Sequence, residues 1–170
     1  MRSNTQSIVP IVVSGVSGVG KSTFGSQLAQ LLDRSFVDAD DFHAEAAIEK
    51  MRNSIPLSDD DRWPWLQRLS SHQTQHQNCI LACSCLKKRY RDYLRSQLAP
   101  NELLFLHLDA PESIVMQRLQ SRPLHFMSAT LLRSQYDALE TPMNEPKTYI
   151  LDASLPLGML LAHAKEIIGS

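Results

Sequence analysis

The chain has 170 residues, of which 43% are hydrophobic and 21% charged, and its formal net charge is −1. This composition is ordinary for a globular protein and predicts one domain over residues 1–170, while the near-zero charge argues against nucleic acid or an acidic membrane as a partner. No apolar run is long enough to span a bilayer, and the polar start from Met1 to Ser7 lacks a signal-peptide pattern. We therefore expect a cytoplasmic protein.

Apolar runs with strand character alternate with helical patterns along the chain. The predicted strands cover residues 8–13, 35–38, 79–84, 103–108 and 149–152. The predicted helices cover residues 21–33, 43–52, 64–76, 86–98, 111–121, 129–139 and 157–168. This alternation predicts an α/β fold with three αβα layers around a five-stranded parallel sheet, and it predicts ligands at the carboxyl ends of the strands.

A phosphate-binding loop follows the first predicted strand. Residues 15–22 read Gly-Val-Ser-Gly-Val-Gly-Lys-Ser, a complete G-x-x-x-x-G-K-[ST] motif, and a helical pattern comes next. Glycines let the backbone fold around an anion and aim its N–H groups inward. Lys21 would reach the β- and γ-phosphates of a nucleoside triphosphate, and the Ser22 hydroxyl would ligate Mg²⁺. The predicted phosphate-binding residues are Gly15, Val16, Ser17, Gly18, Val19, Gly20, Lys21, Ser22 and Thr23.

Two carboxylates, Asp38 and Asp40, close the second predicted strand. Residues two apart in an extended segment lie about 6.5 to 7 Å apart and point the same way, so both would face one cleft. One can help hold Mg²⁺ while the other accepts a proton from an attacking hydroxyl, which fits phosphoryl transfer to an alcohol. The alternative is a solvated acidic turn in which Asp41 caps a helix.

Other phosphate-loop classes fit less well. No Asn-Lys-x-Asp segment is present to read guanine, which argues against a signalling GTPase. Asp109 ends an apolar strand as the metal-positioning Asp of a motor or transporter ATPase does. However, Asp109 is followed by Ala110, Pro111 and Glu112, an order that favours a helix N-cap.

Two arginines follow the fourth predicted strand. Arg118 and Arg122 lie four residues apart, and the helical periodicity breaks directly after Arg122. A lid over residues 121–128 could bring guanidinium groups to the transferred phosphoryl group. Equally, both arginines could complement a helix C-terminus.

The three cysteines, Cys79, Cys83 and Cys85, fall in or beside an apolar strand. They form no Cys-x-x-Cys pair and have no fourth ligand nearby, so the sequence predicts buried free thiols instead of a metal site.

Several further blocks of the sequence resemble the thermoresistant gluconokinases. They include Asp-Ala-Asp-Asp-Phe-His at 38–43, Lys-Met at 50–51 and Pro-Leu-Ser-Asp-Asp-Asp-Arg-Trp-Pro-Trp-Leu at 56–66. Further blocks lie at 83–92, 125–127 and 131–142, so that the resemblance runs from about residue 10 to about residue 155. It implies a nucleoside-monophosphate-kinase-like fold, a homodimer, and the use of ATP and Mg²⁺ to phosphorylate D-gluconate at its 6-hydroxyl.

The resemblance also implies roles for individual residues. Asp40 would be the base, Asp38 would help position Mg²⁺, and Lys21 and Arg122 would act on the transferred group, with Arg118 beside them on the nucleotide. A carboxylate acceptor needs cations and a polyol needs hydrogen-bonding groups. The candidates are Arg62, Lys87 and Arg91 for the carboxylate, and His43, His125 and Gln135 for the hydroxyls.

Structural roles are open for several of these residues. Lys87 to Arg91 could form the wet face of a helix, Ser58 and Asp61 match a capping box, and the two tryptophans suit packing.

Besides Cys85, which stands where the family has a small Ala, four positions depart from the family pattern. Ala44 and Ala47 replace a Pro and an Asn, and Ser54 and Leu124 replace glycines. A side chain would strain the loop wherever that glycine has positive φ. Two alternatives to gluconate phosphorylation therefore stay open, namely a kinase for another hydroxy acid such as shikimate and a nucleotide-binding regulator without turnover.

Overall fold

The structure is a computed structural model that describes residues 9–76, 78–98, 102–121 and 128–169. Its five strands form one parallel sheet in the order β2-β3-β1-β4-β5. The strands are β1 (Ile11–Ser14), β2 (Ser35–Asp38), β3 (Cys79–Ala82), β4 (Leu104–Asp109) and β5 (Thr148–Asp152). The helices are α1 (Lys21–Leu31), α2 (Glu45–Arg52), α3 (Asp59–Gln75), α4 (Lys88–Leu98), α5 (Glu112–Gln120), α6 (Ala129–Ala138) and α7 (Leu157–Gly169), with a 3₁₀ helix at Ala39–Phe42.

Helices cover both faces of the sheet, which confirms the predicted three-layer fold. Successive strand residues point to opposite faces. Ile11 and Val13 of β1 therefore join one buried cluster with Phe24 and Leu28 of α1. Val12 and Phe105 join a second cluster with residues of α3 and α4, among them Trp65, Leu66, Leu69, Tyr90 and Leu94. The sheet is buried on both sides, as its nearly continuous apolar strands require.

The starts of α3, α4 and α5 differ from the sequence predictions, and α4 begins at Lys88 instead of at residue 86. Helix α3 begins at Asp59, five residues before the predicted start, because Ser58 and Asp61 form a capping box that satisfies the first backbone N–H groups. The predicted N-cap role of Asp109 is wrong, since Asp109 is the last residue of β4 and Pro111 is the N-cap of α5.

The segment predicted as one helix over residues 43–52 is divided. Asp38 caps the 3₁₀ helix by accepting a hydrogen bond from the Asp40 N–H, and α2 starts only at Glu45. His43 and Ala44 between them are extended. The acidic pair therefore belongs to a strand end and a tight turn rather than to one continuous strand.

The predicted buried thiols are confirmed, because Cys79, Cys83 and Cys85 are all free and buried. Within the four described stretches, no helix combines the length and apolar character needed to cross a bilayer. Most of the predicted lid at 121–128 lies outside the described residues.

Candidate active site

The phosphate loop connects β1 to α1 at the carboxyl edge of the sheet. Its three glycines have positive φ, at 136° for Gly15, 80° for Gly18 and 113° for Gly20. A Cβ on Gly15 would lie 2.5 Å from the Leu108 carbonyl oxygen, and one on Gly18 would lie 2.7 Å from the Leu119 side chain. Glycine is therefore required by backbone conformation and by packing at these two positions.

Lys21 folds back over this loop. Its Nζ donates to the Val16 carbonyl oxygen at 2.9 Å. Burial lowers the pKa of Lys21, and the nearby carboxylates of Asp40 and Asp38 partly oppose that shift. The ammonium group and the two carboxylates thus lie in one electrostatic neighbourhood, as a phosphoryl-transfer site needs.

Ser22 and Asp38 meet beside the loop. The Ser22 hydroxyl donates to Asp38 Oδ2 at 2.5 Å, and Asp38 Oδ1 accepts from the Asp40 backbone N–H at 3.0 Å. Hydroxyl and carboxylate oxygens are the ligands that Mg²⁺ prefers. Among the described residues no three acidic, His or Cys side chains cluster as a metal site, but Mg²⁺ in kinases needs only one or two carboxylates together with phosphate oxygens.

Asp40 extends into solvent beside a fixed histidine. Its side chain is 75% exposed, and its Oδ1 lies 3.7 Å from Nε2 of His43, whose own side chain is only 4% exposed. His43 stacks on Trp65 with 4.4 Å between ring centroids, and the Trp65 indole N–H donates to the Ala39 carbonyl at 2.7 Å. Burial lowers the pKa of His43, which favours a neutral ring. Trp65 is thus a packing anchor, and it fixes the turn that carries Asp40.

A cavity of about 380 Å³, called the larger cavity here, opens between the phosphate loop and helices α3, α4 and α6. Its lining includes Lys21, Asp40, Arg62 and Lys87. His43 and Gln135 also line it. Ser17 of the phosphate loop lines it as well, so the structure brings seven of the sequence-predicted site residues around one space.

Two cations of this cavity, Arg62 of α3 and Lys87 directly before α4, differ in their partners. Lys87 Nζ binds Asp59 Oδ1 at 3.0 Å. Arg62 donates through Nε to the Leu57 carbonyl at 3.4 Å, and its guanidinium lies 5.8 Å from the centre of the Tyr90 ring. Asp59 and Tyr90 line the larger cavity too, and sequence reasoning assigned neither of them a role. Both lie in sequence blocks that carry the family resemblance, and that membership is the signal by which a role could have been suspected.

Arg91 is not brought into the larger cavity. Its side chain is fully buried, and its guanidinium binds Glu145 and the carbonyls of Cys85, Leu86 and Glu140. All its charge is used within the fold, so the predicted contact with a substrate carboxylate is not available in this structure. The sequence indicated that Arg91 is a cation near the site, but it could not show in which direction its side chain extends.

Gln135 and Arg118 also have protein partners. Gln135 Oε1 accepts from the Ser17 backbone N–H at 2.7 Å, which ties α6 to the phosphate loop. Arg118 donates to the carbonyls of Val19 and Ala153 at 3.0 and 2.7 Å. The two remaining predicted residues, Arg122 and His125, lie outside the described residues, as does Leu124.

A second cavity of about 310 Å³, called the smaller cavity, lies on the other side of the loop. Its lining is largely apolar and includes Val19, Phe24, Leu108, Leu157 and Leu160, with Arg118 and Thr23 at polar positions. The phosphate loop thus separates an apolar space from a polar one. That arrangement suits a ligand with a flat apolar end and a phosphate chain.

Comparison with known proteins agrees with this geometry. The family model described as shikimate kinase matches residues 17–145. The chain is 38% identical over 162 residues to a thermoresistant gluconokinase of Escherichia coli K12, covering 92% of this chain and 91% of that protein. The chain belongs to the gluconokinase family. The family predicted from the sequence blocks is confirmed.

Two further similarities extend over most of the chain. A thermosensitive gluconokinase of Escherichia coli K12 is 42% identical over 143 residues, which cover 82% of this chain and 75% of that protein. The crystal structure of a gluconokinase from Sinorhizobium meliloti 1021 matches with a TM-score of 0.88 at 38% identity, covering 95% of this chain and 92% of that one. The gluconokinase family thus accounts for the sequence and for the three-layer kinase fold.

Proposed function

We propose that this chain is an ATP-dependent gluconokinase, which transfers the γ-phosphoryl group of ATP to the 6-hydroxyl of D-gluconate. The observation that carries the proposal is the larger cavity, because it joins Lys21, Asp40 and Arg62 around one space. These three residues supply a phosphate-binding cation, a proton acceptor and a cation for an acceptor carboxylate. A hydroxy acid can use the last two directly, because its carboxylate pairs with the cation and its hydroxyl gives a proton to the acceptor.

In the transfer step, the gluconate 6-hydroxyl attacks the γ-phosphorus. A bond forms between O6 and the γ-phosphorus, the bond from that phosphorus to the β–γ bridging oxygen breaks, and ADP leaves with the bond electrons. Asp40 accepts the hydroxyl proton, and its exposed carboxylate is free to approach the acceptor. Lys21 balances the negative charge on the phosphates, since its ammonium group lies over the loop that would hold them.

Mg²⁺ fits beside Ser22 and Asp38, whose oxygen atoms already share a hydrogen bond. When bound, the ion neutralises phosphate charge and polarises the transferred group. Ser22 would ligate it through its hydroxyl and Asp38 through its carboxylate. Phosphate oxygens and water would complete the shell.

ATP would bind with its base in the smaller cavity. Phe24, Leu157 and Leu160 offer apolar contacts for the ring, and Arg118 lies between this cavity and the loop. The Ser17 N–H would turn from Gln135 toward phosphate, which would free the Gln135 amide for an acceptor hydroxyl. Arg122 and His125 keep the roles that the family resemblance implies for them.

The assembly and the location are also part of the proposal. Strand β5 lies at the sheet edge, where Tyr149 and Ile150 are exposed, which supports a homodimer that covers them. Three free cysteines and the use of ATP fit the reducing cytoplasm. Size-exclusion chromatography with light scattering measures the mass of the protein in solution, and the mass of a monomer would contradict the dimer.

The deciding experiment measures ADP release by the purified protein with ATP and Mg²⁺. D-Gluconate, shikimate, other sugar acids and polyols are tested one at a time, with Lys21→Ala as the inactive control. Gluconate-dependent release that Lys21→Ala lacks supports the proposal. ADP release with shikimate but not with gluconate would instead favour a shikimate kinase. ATP binding without ADP release would favour a nucleotide-binding regulator.

A further inference from the structure

Two cations, Arg62 and Lys87, line the helical side of the larger cavity. One of them already forms an ion pair with a carboxylate. Lys87 is paired with Asp59 at 3.0 Å. No ion pair joins Arg62 to a carboxylate within the stretches that the structure describes, and its recorded hydrogen bond goes to a backbone carbonyl. Both cations contact the same aromatic ring, since the Arg62 guanidinium and Lys87 Nζ are 5.8 and 5.9 Å from the centre of Tyr90.

Asp59 is held firmly in this position. It is the first residue of α3, and its Oδ1 accepts from Lys87 and from the Tyr90 hydroxyl, while its Oδ2 accepts from Arg89. Burial raises the pKa of Tyr90, so its hydroxyl keeps the proton that it donates. Asp59 thus has three donors from the start of α4 and the turn before it, and it lines the larger cavity with a side chain 30% exposed.

We propose that Asp59 determines which cation anchors the acceptor carboxylate, because it occupies Lys87 and leaves Arg62 for the acceptor. Asp59 is thus a positioning residue that acts through Lys87. This inference rests on the proposed function, since it assumes a carboxylate acceptor in the larger cavity. An unpaired guanidinium can bind a carboxylate at two points, whereas a paired ammonium group offers only its remaining N–H donors.

The proposal predicts that removing Arg62 raises the KM for gluconate more than removing Lys87 does. Arg62→Gln raises the KM for gluconate by about tenfold or more, because a charged two-point contact is lost. Lys87→Gln raises it by no more than about threefold, the scale of a part-exposed charge that is already paired. An equal rise for the two variants would overturn the assignment, and this comparison does not need a change at Asp59.

A double-mutant cycle tests Asp59 itself. Asp59→Asn removes the charge that occupies Lys87, so Lys87 becomes available as a substitute anchor. In that background, Arg62→Gln should raise the KM for gluconate by only about threefold instead of tenfold, with the KM for ATP unchanged. A tenfold rise that persists in both backgrounds would show that Lys87 is not held in reserve, and the inference would fail.

Two controls separate charge from folding and from the proposed function. Asp60→Asn removes the same charge from the same helix start at an exposed side chain, and Asp59→Glu keeps the charge. Both backgrounds should keep the full tenfold cost of Arg62→Gln. If the proposed function is wrong, the unchanged protein and Asp60→Asn both lack gluconate-dependent ADP release. If only this inference is wrong, both turn gluconate over and the cycle shows no coupling.

Discussion

Arg91 and Glu145 form a buried two-point ion pair, with 2.6 Å from Nη2 to Oε1 and 3.0 Å from Nε to Oε2. Their side chains are 0% and 6% exposed. Arg95 also binds Glu145, at 2.9 Å. The pair therefore joins α4 to the loop before β5. Arg91, which the sequence suggested as a substrate-binding cation, instead stabilises the fold.

Removing Glu145 should destabilise the protein strongly. Glu145→Ala leaves the Arg91 charge buried without its partner, and the expected loss is about 3 to 5 kcal/mol in the free energy of unfolding. Urea denaturation followed by circular dichroism measures it. The matched control is Glu102→Ala, which breaks an exposed pair with Lys147 and should cost less than about 1 kcal/mol. Equal losses in the two variants would contradict the buried role of Glu145.

His107 should make stability fall with acidification. It lies buried in β4, where its Nδ1 is 2.9 Å from the Ser14 hydroxyl. Burial, followed by the charges of Arg91 and Lys21, lowers the pKa of His107 to about 4. The unfolded chain binds this proton near pH 6.5, so stability is complete above that pH and is lost as pH falls toward 4, by about 3 kcal/mol at most.

The pH dependence is tested with His107→Asn. Unfolding is measured from pH 7 to pH 5, above the range in which most carboxylates titrate. The variant should lose a large part of the slope seen in the unchanged protein, while buried His43, whose pKa is also lowered, contributes to the slope that remains. Replacement of the exposed His163 by Asn should retain the full slope. Parallel slopes for all three proteins would contradict the assignment.

Replacing Ser54 with glycine should stabilise the protein. Its φ is 57°, and it follows α2 in a Schellman turn, with Ser54 N–H donating to Met51 and Ile55 N–H to Lys50 at 3.0 and 2.8 Å. Ser54→Gly relieves the left-handed strain and should raise the free energy of unfolding by about 0.5 kcal/mol after the added chain entropy is counted. Thermal unfolding measures it. Ser54→Ala, which keeps the Cβ, should show no gain.

Asp40→Asn should abolish transfer but not nucleotide binding. The amide cannot accept the acceptor proton, so turnover should fall by about a hundredfold or more. Affinity for ATP, measured by calorimetry, should stay within about twofold. The neighbouring Asp41→Asn removes the same charge at an exposed position and should remain active. Near-normal turnover of Asp40→Asn would remove Asp40 from the role of base.

Much of the fold could be predicted because its signals are local. Alternating apolar strands and helices defined the layers, and strand β2 was predicted with the bounds that the structure has. The sequence prediction began this helix at Pro64, although the Ser58 capping box begins it at Asp59. Helix start signals compete, and the hydrogen-bonded cap was the stronger one.

The site was less predictable because side-chain partners are not local. Arg91 and Lys87 belong to one cationic run, yet Glu145 lies 54 residues from the first and Asp59 lies 28 residues from the second. Sequence alone could not show which of these charges the fold would use internally. The pairings became visible only when α4 was placed against α3 and the loop before β5.

The contacts of Gly15 and Gly18 have a consequence for nucleotide binding. The Leu108 carbonyl and the Leu119 side chain crowd these glycines from the protein side, and the Lys21 ammonium group already crosses to Val16. Contacts within the protein thus hold the curvature of the loop. A preorganised anion receptor loses little conformational entropy on binding, so more of the interaction free energy with ATP remains as affinity.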